Sequence, residues 1–384
     1  MKKLLSGATA AVAVMLCMCD SNVSGAEELD ISAKAAVLIS ADTGEVVYSR
    51  NASEKLPMAS TTKIMTALLC IESGGLYDEF TVDSQAIRVE GSSMGLCEGD
   101  IVTKYALCCG MLLPSGNDAA NAAAVRISGN IEAFAKLMNE RARKIGLSKT
   151  FFVTPSGLDG TGHGSSAADM AMLAREALKN ELFREICSQE SIKVSFGCPP
   201  YERRLMNTNK LLSMYDGVYG VKTGFTDEAG RCLVSACKHG EKDLICVTLD
   251  DRNDWQDHAA IYDYGFETVR QLELTLPDDI TADIAGAASD KLRLVPENDT
   301  YTVTTVAGNN SDFNYTVLRP PFLYAPVIEG EKVAELRISF LGREVDTITL
   351  YAAETAEAAI VSAQNSRKGI FTGLKEFLGR LFSR

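Results

Sequence analysis

Histidine is scarce. The 384 residues contain three, His163, His239 and His258, far apart and without an H-E-x-x-H pattern. No C-x-x-C pair occurs. A zinc or other metal-hydrolase reading therefore has little support, and no cofactor is expected. An excess of positive charge is also missing. The formal net charge is −13, and the body of the chain has no basic stripe with interleaved aromatics, which argues against a nucleic-acid binder. Compositional bias of the disordered kind is absent, with 46% hydrophobic and 23% charged residues. The length suffices for two domains with short appendages.

Cysteine is present in number, but a disulfide framework is not needed at this length. Of 11 cysteines, Cys17 and Cys19 fall in the N-terminal segment, which leaves nine. An odd count leaves at least one unpaired. Many sit in apolar runs, so the expectation is buried free thiols acting as small hydrophobes.

The two ends differ from the body. Lys2 and Lys3 precede an apolar run from Leu4 to Met18, followed by Ser24-Gly25-Ala26. This is the pattern of an export signal over residues 1–26, cleaved after Ala26; an uncleaved anchor is the alternative. Lipid attachment at Cys17 or Cys19 is disfavoured by Leu16 and Met18, where small residues are wanted. At the far end Ile370, Phe371, Leu374, Phe377, Leu378, Leu381 and Phe382 recur at helical spacing among Arg367, Lys368, Lys375, Arg380 and Arg384. The segment from Ser366 carries a net charge of +4, against −18 for the body once the signal's +1 is set aside. Too short and too charged to span a bilayer, it reads as an interfacial membrane anchor within residues 357–384. A helix packed on a domain is the bland alternative.

Between the ends, Ala35 to Ile39 and Val46 to Tyr48 flank the turn Asp42-Thr43-Gly44-Glu45 and predict a hairpin. A buried helix is expected from Ser60 through Leu69, and helical stretches from Ala119 to about Ile145 and from Ser166 to Leu178. Tyr219 to Lys222, Arg231 to Cys237 and Leu244 to Leu249 read as strands. Strands at both ends with helices between predict an α/β unit, residues 27–271, whose terminal strands share one sheet. Alternating runs such as Tyr301 to Val306 and Lys332 to Ile338 predict a smaller all-β domain over residues 272–356.

Three short patterns carry chemistry: Ser60-Thr61-Thr62-Lys63, Ser115-Gly116-Asn117 and Lys222-Thr223-Gly224. The first sets a serine and a lysine on one helix face. A serine hydroxyl needs a base, and a lysine serves as one only where burial or nearby positive charge destabilises its ammonium. A helix start at Ser60 also offers N–H groups to a developing oxyanion. In the third pattern a lysine and a hydroxyl suit a carboxylate, and the glycine permits close approach. Each pattern alone is weak. Ser235-Ala236-Cys237-Lys238 repeats S-x-x-K within an expected strand, and Ser128-Gly129-Asn130 repeats S-x-N.

Taken in order and in setting, the three patterns resemble the serine D-alanyl-D-alanine carboxypeptidases, the low-molecular-mass penicillin-binding proteins. The likeness runs from about Ala35 to Phe266 and includes Pro57-Met58-Ala59, Met111 to Ala120 and Val221 to Thr226. It implies a penicillin-binding/β-lactamase-like transpeptidase fold of α/β (α+β) class with an all-β C-terminal domain. It further implies that Ser60 is acylated by a peptide ending in D-Ala-D-Ala, with Lys63 as base. Ser115 would sit in the proton path and Asn117 on the substrate amide. Lys222 and Thr223 would hold the terminal carboxylate, and Gly224 and Phe225 would line the site. Backbone N–H groups of Ser60 and Phe225 would form the oxyanion hole. β-Lactams would acylate the same serine. Peptidoglycan stem peptides as substrate and a place outside the cytoplasmic membrane follow from the same likeness. Two features depart from some relatives: Phe225 stands where a histidine can follow K-T-G, and Arg252 is the one candidate for an arginine before Tyr264-Gly265-Phe266. A β-lactamase or esterase on the same scaffold is the alternative enzyme, although no glutamate motif appears between Ser115 and Lys222. A non-catalytic peptidoglycan-binding regulator is the alternative outside enzymes.

Overall fold

The computed structural model describes residues 29–359. The expected export signal and basic tail lie outside the described residues. The first hairpin joins β1 (Ala35–Ser40) to β2 (Val46–Arg50). A short 3-10 turn, Ala59–Thr62, then runs directly into α1 (Lys63–Glu72). Helix α1 is apolar on every side and buried from Lys63 to Ile71, as a helix without a polar face must be. Two short strands follow, β3 (Glu79–Thr81) and β4 (Ile101–Thr103), and then helices α2 (Lys104–Leu112), α3 (Asn117–Ser128) and α4 (Ile131–Ile145).

The alanine-rich stretch expected as one helix is therefore two. Gly129 adopts a left-handed φ of +80° that ends α3, and the Asn130 side chain accepts from Ala133 N to start α4. That cap is what the second S-x-N pattern does. Helices α5 (Ala167–Leu178) and α6 (Glu181–Ser188) and the hairpin β5 (Ser191–Gly197) to β6 (Pro200–Met206) lead through the single turn α7 (Leu211–Met214) to the last strands. These are β7 (Val218–Thr226), β8 (Gly230–His239) and β9 (Lys242–Leu249), followed by α8 (Asp254–Thr268).

The strands at the two ends do share a sheet. Its order is β2-β1-β9-β8-β7, antiparallel throughout. Strand β1 and the middle of β8 are buried residue after residue. Neighbouring side chains on a strand face opposite ways, so both faces of the sheet are covered. Strand β7 lies on the edge of the sheet.

The rest is β: β10 (Arg270–Thr275), β11 (Thr281–Ala285), β12 (Lys291–Pro296), β13 (Thr300–Thr305), β14 (Phe313–Leu318), β15 (Leu323–Tyr324), β16 (Lys332–Phe340) and β17 (Arg343–Ala352). Six of them form a sheet in the order β14-β16-β17-β12-β11-β15, and β10 pairs with β13. Their alternating inward residues, among them Leu274, Leu294, Leu336, Ile338 and Leu350, make a core separate from that around α1. Seven of the nine described cysteines are buried, whereas Cys97 and Cys198 are exposed. No helix among the described residues is long and apolar enough to cross a membrane.

Candidate active site

Ser60 lies within the 3-10 turn, three residues ahead of the helix rather than at its start. The turn is tight. Ala59 has a left-handed φ of +46°, and the Thr61 hydroxyl donates to Met58 O at 2.6 Å. Lys63 is the first residue of α1 and is fully buried. Its Nζ donates to Ser60 Oγ at 2.8 Å, to Asn117 Oδ1 at 2.7 Å and to Ser156 O at 2.6 Å. Burial first, and then the charge of Lys222, hold its pKa well below the usual lysine value, against a smaller opposing pull from Asp118. A buried lysine that gives up its proton readily beside a serine hydroxyl is the arrangement required for general-base activation.

Asn117 opens α3. Its Oδ1 faces Lys63 while its Nδ2 donates to Glu90 O at 2.7 Å. Ser115, just before it, holds a left-handed φ of +65°, a costly conformation for a residue with a side chain. It is nearly buried, yet its hydroxyl makes no hydrogen bond to Ser60, Lys63 or any other described residue. The structure thus joins Ser60, Lys63 and Asn117 directly and leaves Ser115 beside them without a bond.

The third pattern sits on edge strand β7. Lys222 is buried, and its pKa is pushed down to about 7 by that burial. Its Nζ donates to Thr223 O at 2.9 Å, and the Thr223 hydroxyl meets that of Thr208 at 2.8 Å. Gly224 is required for space. A Cβ there would lie 3.0 Å from Ser60 N and 3.1 Å from Ala59 Cβ and Thr61 N, so only glycine lets the strand touch the serine turn this closely. Phe225, 62% exposed, stands at the mouth, opposite Arg231 of β8.

Several supports gave no signal in the sequence. Asp118 is buried next to Asn117, and its carboxylate accepts from Met94 N, Leu96 N, Gly95 N and the Ser93 hydroxyl, at 2.9, 3.0, 3.1 and 2.6 Å. It pins the loop whose Glu90 carbonyl holds Asn117. His163 receives Val153 N–H on Nδ1 at 2.9 Å, so the proton sits on Nε2, which donates to Thr62 Oγ1 at 2.9 Å. Burial, and then Lys55, lower its pKa to about 4 and keep the ring neutral. Together with Ser156 O on Lys63 and Pro155 O on Thr66, this loop clamps the serine turn from the far side. An alternating run or a motif could not announce these contacts, since Thr62 and His163 are 101 residues apart.

The repeated S-x-x-K pattern is structural. Ser235 Oγ bonds His258 Nδ1 at 2.7 Å and Tyr262 OH at 2.6 Å inside the core, and Lys238 pairs with Glu241 at the surface. Arg252 is exposed. Arg231, opposite Phe225, lies 3.0 Å from Asp254.

Comparison with known proteins places this arrangement in a family. Residues 22–253 match the model described as D-alanyl-D-alanine carboxypeptidase. The chain is 31% identical to the D-alanyl-D-alanine carboxypeptidase DacF of Bacillus subtilis, over 92% of this chain and 90% of that one. It is 32% identical to DacC of Escherichia coli, over 86% of each. Among solved structures, penicillin binding protein 5 of Haemophilus influenzae superposes with a TM-score of 0.62 at 24% identity, over 87% of this chain and all of that one. DacD of Francisella tularensis, also a D-alanyl-D-alanine carboxypeptidase, gives 0.58 at 27% identity, over 87% and 95%.

Proposed function

The chain belongs to the D-alanyl-D-alanine carboxypeptidases, and from that premise we propose how its own residues divide the work. It is a serine hydrolase of the penicillin-binding type, acting on peptides that end in D-Ala-D-Ala. Ser60 is the nucleophile and Lys63 its base. The observation that carries this assignment is the 2.8 Å bond from a buried Lys63, whose proton affinity burial and Lys222 lower, to Ser60 Oγ. Lys63 takes the hydroxyl proton as Oγ attacks the carbonyl between the two D-alanines. The terminal D-alanine leaves with a proton, and water later frees the shortened peptide from the ester.

Asn117 faces the substrate amide, and Lys222 with Thr223 holds the terminal carboxylate. Ser115, strained and without a partner beside Asn117, passes the proton to the leaving amine. An extended peptide lies along the open edge of β7 past Gly224 and Phe225, and N–H groups of Ser60 and Phe225 receive the oxyanion. The partners of Lys63 are a hydroxyl, an amide and a backbone carbonyl. None is the carboxylate that a β-lactamase uses to activate its deacylating water.

The proposal extends to organisation. Residues 27–271 form the peptidase part and 272–356 the β-rich part, consistent with their separate cores. Residues 1–26 export the chain, and residues 357–384 hold it at the outer face of the cytoplasmic membrane. Incubation with labelled penicillin followed by intact mass measurement tests the centre of the scheme. The wild type should gain one adduct on Ser60 and Ser60→Ala none. Equal labelling of the variant would remove Ser60 from its role.

A further inference from the structure

The described residues end at Ala359, and exposed apolar side chains lie close to this end. Ala359 N–H donates to Gly286 O at 2.6 Å, Ala358 is bridged to Ala287, and Ala356 to Val327. Beside residues 356–359 runs segment 320–328, whose strand β15 pairs with β11 so that Tyr324 lies opposite Ala285. The segment exposes Tyr324 (71%), Ile328 (65%) and Phe322 (46%). The rings of Phe322 and Tyr324 meet edge to face with centroids 5.1 Å apart. Ile328 adjoins the partner of Ala356, and Tyr324 lies opposite the residue before the partner of Ala359. Both therefore lie near Ala359. Pro320, Pro321 and Pro326 stiffen the segment that presents them.

In the sequence this point is followed by 25 residues, and those from Ser366 carry the helically spaced apolar residues and the net charge of +4. We propose that Phe322, Tyr324 and Ile328 form a second lipid-contacting surface, which enters the headgroup region of a phospholipid bilayer at the root of the basic tail. The folded part is then held against the membrane in one orientation instead of swinging on a tether. The inference rests on the reading of the tail as an interfacial anchor. A tyrosine with an apolar ring and a polar tip suits the depth of the headgroups, with phenylalanine and isoleucine just below. The exposed neighbours Glu329 and Glu357 are acidic, so this patch gains nothing from anionic lipid. Its contribution is apolar area, which salt does not screen, whereas the attraction of the tail to anionic headgroups is screened.

The test uses the full chain with Trp255→Phe, which removes the one native tryptophan, and Tyr324→Trp as a reporter. Vesicles contain phosphatidylcholine and phosphatidylglycerol, with or without brominated acyl chains. The protein should sediment with vesicles, and the reporter should shift to the blue and be quenched by brominated lipid. A reporter placed instead at Tyr77, 68% exposed in the peptidase part, should do neither. Phe322→Ser with Ile328→Ser should weaken vesicle binding about tenfold or more and leave penicillin labelling unchanged. If the full chain does not sediment with vesicles, the anchor reading fails and takes this surface with it. If it sediments while the reporter at 324 stays unshifted and unquenched, the anchor stands and the second surface is wrong. A blue shift without vesicles overturns the proposal as well: loss on deletion of 366–384 would assign the patch to the tail, and loss on dilution to a second copy.

Discussion

Lys63 is made a base by two things, its burial and a second lysine. Burial alone disfavours the ammonium, and the charge of Lys222 disfavours it further. The rate of acylation should therefore rise with pH as Lys63 loses its proton. Lys222→Met removes the repelling charge. Lys63 then keeps its proton to higher pH, and the ascending limb of the penicillin acylation rate moves up the pH scale. In the wild type a second limb is expected near pH 7 with peptide substrate, because Lys222 titrates at about 7 and KM rises when the carboxylate loses its cation. That second limb should vanish in the variant. Stopped-flow acylation and steady-state profiles measure both, and an ascending limb that stays in place or moves down would contradict the assigned electrostatics. The spacing of Ser60 and Lys63 was legible in the sequence. The depressed proton affinity was not, since it depends on groups from α3, β7 and the loop at Ser156 closing around one nitrogen.

At the scale of elements, the two S-x-x-K patterns separate cleanly. Ser60 lies on a turn that feeds a helix, so Lys63 returns to the same side. Ser235 lies within β8, where residues three apart face opposite ways, and its hydroxyl ties the strand to α8 through His258 and Tyr262. Thr248 of β9 holds the other ring nitrogen of His258 at 3.0 Å. Burial lowers the pKa of this histidine to about 3, so the network stays uncharged. Ser235→Ala should lower stability by about 1–3 kcal/mol, because two buried groups lose a partner, and should leave the labelling of Ser60 at its normal rate. Urea denaturation and penicillin labelling together decide this. Slowed labelling with normal stability would mean that Ser235 acts in the site. Strand periodicity alone was enough to set this serine aside, but its partners were hidden. In the sequence His258 is simply a histidine far from the others.

At the scale of the whole molecule, the turn of the first hairpin is the joint between the two parts. The Glu45 carboxylate accepts from the Thr305 hydroxyl, Val306 N and Ala307 N at 2.5, 2.8 and 3.2 Å. Asp42 accepts from Thr304 N, and the Ser40 hydroxyl donates to Thr304 O, both at 2.8 Å. The nearly buried Arg175 donates to Ala41 O, Asp42 O and Glu344 O, which links α5 to the turn and to β17. Three donors converging on one carboxylate make Glu45 the residue to remove. Glu45→Ala should cost about 1–3 kcal/mol and speed proteolysis near residues 268–270, where α8 passes into β10. A melting temperature and a cleavage rate equal to those of the wild type would show that the joint is held elsewhere. Asp42 to Glu45 reads in sequence as a turn and no more, because its partners lie some 260 residues further on.

What repeats over short distances is legible along the chain. An apolar run without a polar face had to be a buried helix, alternating runs had to be half-buried strands, and a serine three residues before a lysine at a helix start had to share its side. The single helix expected across Gly129 shows the limit even there, since a glycine can continue a helix or end it. Tertiary structure alone decided the chemical state of the site. Lys63 holds its proton less tightly than a free lysine because distant segments exclude water from it and bring Lys222 near. The serine turn keeps its shape because Gly224 lets β7 touch it and His163 grips it from behind. Spacing acts along the chain, whereas desolvation, repulsion and hydrogen bonding act through space, and only the fold sets those distances.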